Sequence, residues 1–165
     1  MYLPDIVGKG YGDFWRFKGR YKVVKGSRAS KKSSTQSLKV ITEIVEDPHI
    51  NWLVVRKVER TLRDSCFAQL KWAIRRLQLD RYFKCSTSPL EITYIPTGQK
   101  ILFRGLDDPL KVTSITVDVG SLCRLWVEEA FEITSEEAFD RLDESIRGRL
   151  PEGMYHQVVL TLSLI

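Results

Sequence analysis

The chain has 165 residues, of which 43% are hydrophobic and 28% charged, a composition that suits one folded domain with its own core. No apolar run is long enough to span a membrane, the N-terminus lacks the features of a secretory signal, and the three scattered cysteines lack the spacing of a metal site. The net charge of +5 is compatible with a polyanionic partner, although many proteins that bind none carry a similar excess.

The first part of the chain predicts two strands, each followed by a helix. Residues 21–25 alternate and predict a short strand, and residues 26–30 are small and polar and predict a turn. Apolar residues at helical spacing predict a helix over residues 31–45. An apolar strand over residues 52–57 and an amphipathic helix over residues 61–79 follow.

The second part predicts a hairpin, two further strands, an acidic helix and a last apolar strand. Their bounds, in order, are 91–95 with 100–104, 114–119, 124–127, 135–147 and 157–165. Strands that alternate with helices predict an α/β fold, a mostly parallel sheet with helices on both faces. Residues 1–20 are interpreted as a lead-in and residues 21–165 as the domain. Because the last strand reaches the final residue, we expect the domain to be C-terminally incomplete.

The turn after the first strand carries most of a phosphate-binding loop. The usual pattern is Gly-x-x-x-x-Gly-Lys-Ser/Thr between a strand and a helix, and here Gly26 is followed by four residues and then Lys31, Lys32 and Ser33. Lys31 replaces the second glycine, which normally allows close approach of the backbone to phosphate. The alternative is a basic, serine-rich turn that caps a helix. The candidate phosphate-binding residues are Gly26, Ser27, Arg28, Ala29, Ser30, Lys31, Lys32, Ser33 and Ser34.

Three of these residues have distinct expected roles. Lys32 would neutralise the β- and γ-phosphates, and Ser33 would be a ligand of Mg²⁺. Arg28 would stabilise the charge that develops on the γ-phosphate in the transition state, as an arginine finger does. A surface arginine that contacts solvent is the alternative for Arg28.

Two acids follow an apolar strand about a hundred residues later. Residues 125–127 deliver Glu128 and Glu129 to the carboxyl end of a strand, where ligands of such sheets bind. Glu128 would hold Mg²⁺, and Glu129 would orient and deprotonate the attacking water. The alternative is an acidic patch that stabilises a helix start. Arg124 interrupts the apolar run and weakens the match.

With these motifs, the chain resembles the N-terminal ATPase domain of tailed-phage terminase large subunits, most closely those of prophages of Gram-positive bacteria. The resemblance rests on residues 21–34, 54–62, 98–114 and 125–130. It implies a P-loop NTPase fold, ATP and Mg²⁺ as nucleotide and cofactor, and a motor that packs double-stranded DNA into a procapsid. The coupling motif of that family aligns with the last strand, where Thr161 matches its threonine but its asparagine and proline have no counterpart.

The resemblance also implies partners and a location. Members of the family form a homo-oligomeric ring on the capsid portal, work with a small terminase subunit and act in the cytoplasm of the host bacterium. A nuclease domain normally follows the ATPase domain, and since the sequence has none, no nuclease activity is expected from this chain. Two alternatives stay open: a truncated, non-enzymatic remnant that only binds DNA or partner subunits, and a helicase-like ATPase of repair.

Overall fold

The computed structural model describes residues 6–7, 10–27 and 31–163, and its centre is a seven-stranded sheet. The strands are β1 (Tyr21–Gly26), β2 (Ile50–Arg56), β3 (Phe83–Thr87), β4 (Leu90–Tyr94), β5 (Gln99–Gly105), β6 (Ser121–Glu128) and β7 (Gln157–Ser163). The α-helices are α1 (Gly12–Arg16), α2 (Lys32–Glu46), α3 (Ala68–Arg76), α4 (Pro109–Thr113) and α5 (Glu136–Ser145). No helix in the described ranges has the length and apolarity needed to cross a membrane.

The strand order is β1-β7-β6-β2-β5-β4-β3. Neighbouring strands from β1 to β5 in this order are parallel, whereas β4 pairs antiparallel with both β5 and β3. The predicted mostly parallel α/β sheet is therefore confirmed. The last described strand, β7, lies between β1 and β6, so it separates the strand before the predicted phosphate loop from the strand before the predicted acids.

Both faces of the sheet are buried, as the apolar strands predict. Successive side chains of a strand point to opposite faces, so Trp52 and Leu53 of β2 belong to different halves of the core. Trp52 lies in the cluster that contains Leu38 of α2 and Leu70 of α3. Leu53 lies in the cluster that contains Leu142 of α5. A parallel sheet covered in this way holds the carboxyl ends of its strands in fixed positions.

Two predicted elements differ from the structure, and one strand at the edge of the sheet has no predicted counterpart. The strand predicted over residues 114–119 is wrong, because α4 ends at Thr113 and no strand follows before β6. The helix predicted over residues 61–79 starts with a 3₁₀ turn (Glu59–Thr61) and a π-helical turn (Arg63–Phe67), and only then becomes α3. The edge strand β3 was not predicted.

Candidate functional site

The candidate site lies at the carboxyl edge of three adjacent parallel strands, β1, β7 and β6. Gly26 at the end of β1 is in register with Ser163 of β7, and Thr161 of β7 is in register with Glu128 of β6. Ligands of open α/β sheets bind at this edge, because the loops that follow the strands converge there. The strand order therefore brings the predicted phosphate loop and the predicted acids to opposite sides of one strand.

Lys32 is the buried cation of this edge. It is the first residue of α2 and only 5% exposed. Its Nζ donates to Ser163 Oγ at 3.0 Å and to the carbonyl oxygen of Ser27 at 3.4 Å. Lys31, directly before it, has φ 61° and ψ 16°, a left-handed conformation that glycine adopts without strain. The residue that departs from the usual pattern thus keeps a backbone conformation that favours glycine.

The remaining loop residues differ in how far the structure describes them. Ser33 and Ser34 lie half-buried in the first turn of α2. The Ser33 carbonyl accepts a 2.8 Å bond from Ser37 Oγ, and the Ser33 hydroxyl has no hydrogen bond to another described residue. A helix N-terminus with unbonded N–H and hydroxyl groups is suited to bind phosphate and a hard cation. Arg28, Ala29 and Ser30 lie outside the described residues.

Glu129 is connected to Lys32 through one hydroxyl. Ser163 Oγ donates to Glu129 Oε1 at 2.7 Å while it accepts from Lys32 Nζ at 3.0 Å. Glu129 itself has φ 51° and ψ 52°, which is rare for a residue with a side chain. Backbone conformations of this kind persist where the surroundings impose them, and they concentrate at functional sites. The cation of the loop and the second acid therefore share one hydrogen-bonded chain across β7.

Glu128 lies in a different environment, although it is the neighbouring residue. It is 8% exposed, its Oε2 accepts from Cys66 Sγ at 3.0 Å, and the Arg56 guanidinium lies 3.9 Å away. Burial, and then the charge and hydrogen bond of Glu128, raise the pKa of the Cys66 thiol well above its usual value, so the thiol stays protonated and donates. Arg56 also pairs with Glu132 at 2.9 Å. The carboxylate of Glu128 is thus held in one position by a buried donor and a cation.

The structure adds three residues that sequence reasoning did not assign to the site: Ser163, Cys66 and Arg56. Thr161, which was aligned with the coupling threonine, is fully buried and accepts a 2.9 Å bond from the Trp126 indole. Ser163, two residues later on the same strand, is the residue that reaches the site. Thr161 and Ser163 point to the same face of β7, so the alternation of side chains does not separate their roles. Their positions along the strand register do, because only Ser163 lies level with the end of β1.

The sequence and the fold are similar to those of one group of proteins. A family model described as "Phage terminase large subunit" matches residues 18–162. The "Terminase, large subunit" of Bacillus phage SPP1 is 40% identical over 132 residues, which are 79% of this chain and 31% of that protein. The "PBSX phage terminase large subunit" of Bacillus subtilis is 31% identical over 141 residues, 86% of this chain and 30% of that protein. The chain thus spans about a third of the length of these curated relatives.

Solved structures share the fold at low sequence identity. The N-terminal domain of the DNA packaging ATPase of bacteriophage phi29 has a TM-score of 0.66 at 11% identity, with 94% of this chain and 79% of that chain covered. The large terminase of the HK97 bacteriophage has a TM-score of 0.62 at 9% identity, with 91% and 30% covered. At these identities the similarity shows the fold alone.

Proposed function

Because the chain belongs to the phage terminase large subunit family, we propose that it is the ATP-binding and ATP-hydrolysing motor domain of a DNA-packaging terminase. The observation that carries the proposal is the hydrogen-bonded chain from Lys32 through Ser163 to Glu129. It places a buried cation and a carboxylate on either side of one strand end, beside a helix N-terminus. A cation at a helix N-terminus suits phosphate binding, and a carboxylate beside it suits activation of a water molecule.

The chemistry assigned to the site is attack of water on the γ-phosphorus of ATP. Lys32 binds the β- and γ-phosphate oxygens, and the amides at the start of α2 donate to the same oxygens. Glu129 orients the water and takes its proton as the new oxygen–phosphorus bond forms. The bond from phosphorus to the β–γ bridging oxygen breaks, and ADP and phosphate are the products. Ser163 gives up its bond from Lys32 when phosphate takes its place, and keeps Glu129 in position.

The residues present fit a magnesium ion. Mg²⁺ takes oxygen ligands, usually one or two protein groups together with phosphates and water. The Ser33 hydroxyl has no other described partner, and the Glu128 carboxylate is fixed by Cys66. We assign these two residues to Mg²⁺, which when bound would neutralise phosphate charge.

The wider setting follows from the family. We propose double-stranded DNA as the substrate that is moved, and a homo-oligomeric ring as the working form. The small terminase subunit and the portal of the procapsid are the proposed partners, and the cytoplasm of the host bacterium is the proposed location. Arg28 is proposed to stabilise the transition state, in line with its expected position in the loop.

The test is MgATP binding and turnover by the wild type beside Lys32→Ala and Glu129→Gln. Loss of a hydrogen bond from a charged donor weakens MgATP binding by about 10- to 150-fold in Lys32→Ala. Loss of the general base lowers turnover by roughly 10²- to 10⁴-fold in Glu129→Gln with binding retained. Lys84→Ala is the matched control, because Lys84 is an exposed lysine on β3 at the far edge of the sheet.

The results distinguish the proposed ATPase from the alternatives. Equal MgATP affinity of the wild type and Lys32→Ala would overturn the assignment of the site. A folded chain without MgATP binding that needs Lys32 would favour the non-enzymatic alternative, which only binds DNA or partner subunits. Binding that needs Lys32, without turnover that needs Glu129, would overturn the role of Glu129 as the general base.

A further inference from the structure

A concave region lies at the same carboxyl edge of the sheet as the candidate nucleotide site, on the other side of β2. It is a groove of about 780 Å³ between the chain segment that follows β2, the turn between β3 and β4, the end of β5 and α4. We call it the basic groove, after the four cationic side chains that line it: Arg60, Arg63, Arg104 and Lys111. None of these residues has a role in the nucleotide site.

The positive charge of the basic groove is only partly neutralised. Glu59 and Asp64 are the acids in its lining, and Glu59 is taken by Lys111 at 3.1 Å. Within the described ranges, the side chains of Arg60 and Arg63 make no ion pair and no hydrogen bond, and both residues are exposed. Among the described residues, the Arg104 guanidinium donates only to the backbone carbonyl of Phe103, at 2.8 Å. Three guanidinium groups without a carboxylate partner therefore line one groove.

This lining suits the phosphodiester backbone of duplex DNA. Guanidinium groups bind phosphate through paired hydrogen bonds, and the hydroxyls of Thr87 and Ser88 are further groups of the kind that contact a nucleic-acid backbone. Proteins that hold single strands stack the bases on aromatic side chains, and no described residue of the lining is aromatic. We propose that the basic groove binds the phosphate backbone of double-stranded DNA. The choice of DNA as the polyanion rests on the proposed function.

One ordered chain segment joins the groove to the nucleotide site. Arg56, which lies beside Glu128, is at the end of β2, and the chain runs from there directly to Arg60. The peptide N–H of Leu106 donates to the carbonyl oxygen of Arg56 at 3.1 Å. A contact between DNA and Arg60 would thus act on a segment that also places Arg56 beside Glu128.

Close packing keeps this segment against the end of β5. A side chain at Gly105 would overlap the backbone of Glu59, so only glycine allows this approach. Asp107 Oδ1 also accepts from the Glu59 amide at 3.1 Å. The close backbone approach at Gly105 and the hydrogen bond to Asp107 therefore fix the position of the groove relative to the sheet.

The test is binding of a labelled duplex of about 30 base pairs, followed by fluorescence anisotropy without nucleotide at several salt concentrations. The variant is Arg60→Glu with Arg63→Glu. The control is Arg76→Glu with Arg149→Glu, which makes the same charge change at two exposed arginines outside the groove. We expect the groove variant to bind at least roughly tenfold more weakly, with a salt slope smaller by about 2, since two phosphate contacts are lost.

The corresponding glutamine pairs repeat the comparison without charge reversal, in case a glutamate variant fails to fold. Equal weakening in the groove and control variants would mean that net charge alone attracts DNA, and would overturn the proposal. So would a single strand that binds as tightly as the duplex and depends on the same two arginines.

Measurement of MgATP binding on the same variants separates this proposal from the proposed function. Intact binding that depends on Lys32, together with DNA binding that ignores the groove, would refute the basic groove only. The reverse pattern would refute the nucleotide site and leave the DNA-binding groove in place.

Discussion

Arg124 appeared in the sequence as a charge that interrupts an apolar strand, and the structure gives it a partner. Arg124 Nε lies 3.0 Å from Glu43 Oε2, and the two side chains are 3% and 7% exposed. The guanidinium also donates to the carbonyl oxygen of Tyr155 and lies 4.1 Å from the centre of its ring. The pair joins β6, which ends at Glu128, to α2, which begins at the proposed phosphate loop. We predict that the stability of the domain depends on this pair remaining intact.

The expected cost comes from the charge that a single substitution leaves behind. In Arg124→Met the buried Glu43 keeps no guanidinium partner, and its Oε1 already has no partner among the described residues. Removing one member of a buried pair costs about 3–5 kcal/mol. Because Lys22 and Lys39 also attract Glu43, we expect the lower end, about 3 kcal/mol. For a domain of this size that corresponds to a fall in melting temperature of roughly 6–12 °C.

Urea unfolding followed by circular dichroism measures the effect. Arg124→Met and Glu43→Leu should each be destabilised, whereas the double variant should regain most of the loss, because no unpaired charge remains. The exposed pair of Arg141 and Glu137 is the control, and Arg141→Met should change the free energy of unfolding by less than about 0.5 kcal/mol. A double variant whose loss equals the sum of the two single losses would refute the reasoning.

Two further predictions concern Lys22 and Cys66. Burial lowers the pKa of Lys22 to about 8 from 10.5, so the unfolded chain binds more protons between these values and the free energy of unfolding rises with pH there. Below pH 8, Lys22→Met should therefore be more stable than the wild type by about 1–2 kcal/mol, a figure that allows for the lost contact with Phe14. This advantage should vanish as the pH rises towards 10.5. A stability difference that stays constant with pH in urea unfolding would contradict the prediction. Cys66→Ala, which removes the donor to Glu128, should weaken Mg²⁺-dependent ATP turnover about tenfold, and Cys66→Ser should restore it. Equal Mg²⁺ titrations for the alanine and serine variants would exclude this role of Cys66.

The elements next to the site could be predicted because their signals are local. The apolar spacing of α2 and the apolar run of β6 each lie within one segment, and the bounds agree with the prediction to within a few residues. The order of strands and helices then fixes the edge at which the loop and the acids meet.

The elements that were missed depend on partners elsewhere in the chain. Residues 114–119 alternate like a strand, but they find no free strand edge beside β2, because β2 is already paired with β5 and with β6. Ile115 and Val117 pack against the core without joining the sheet. The edge strand β3 has mostly exposed side chains and gains its hydrogen bonds only from β4, so its own residues carry a weak signal. Ser163 and Arg124 likewise act through residues more than thirty positions away.

The strained backbone of the site explains how neighbouring residues come to serve different groups. Consecutive side chains of a strand point to opposite faces, so Glu128 and Glu129 would diverge fully if β6 continued. The left-handed conformation of Glu129 instead ends the strand and turns its carboxylate to Ser163, while Glu128 stays with Cys66. Lys31 makes a similar turn on the other side of β7. Each such residue costs about 1–2 kcal/mol, and both lie directly beside a residue with a proposed role in hydrolysis. Three residues other than glycine have positive φ in the described ranges, and two of them, Lys31 and Glu129, flank the site. Backbone strain of this kind is concentrated at functional sites.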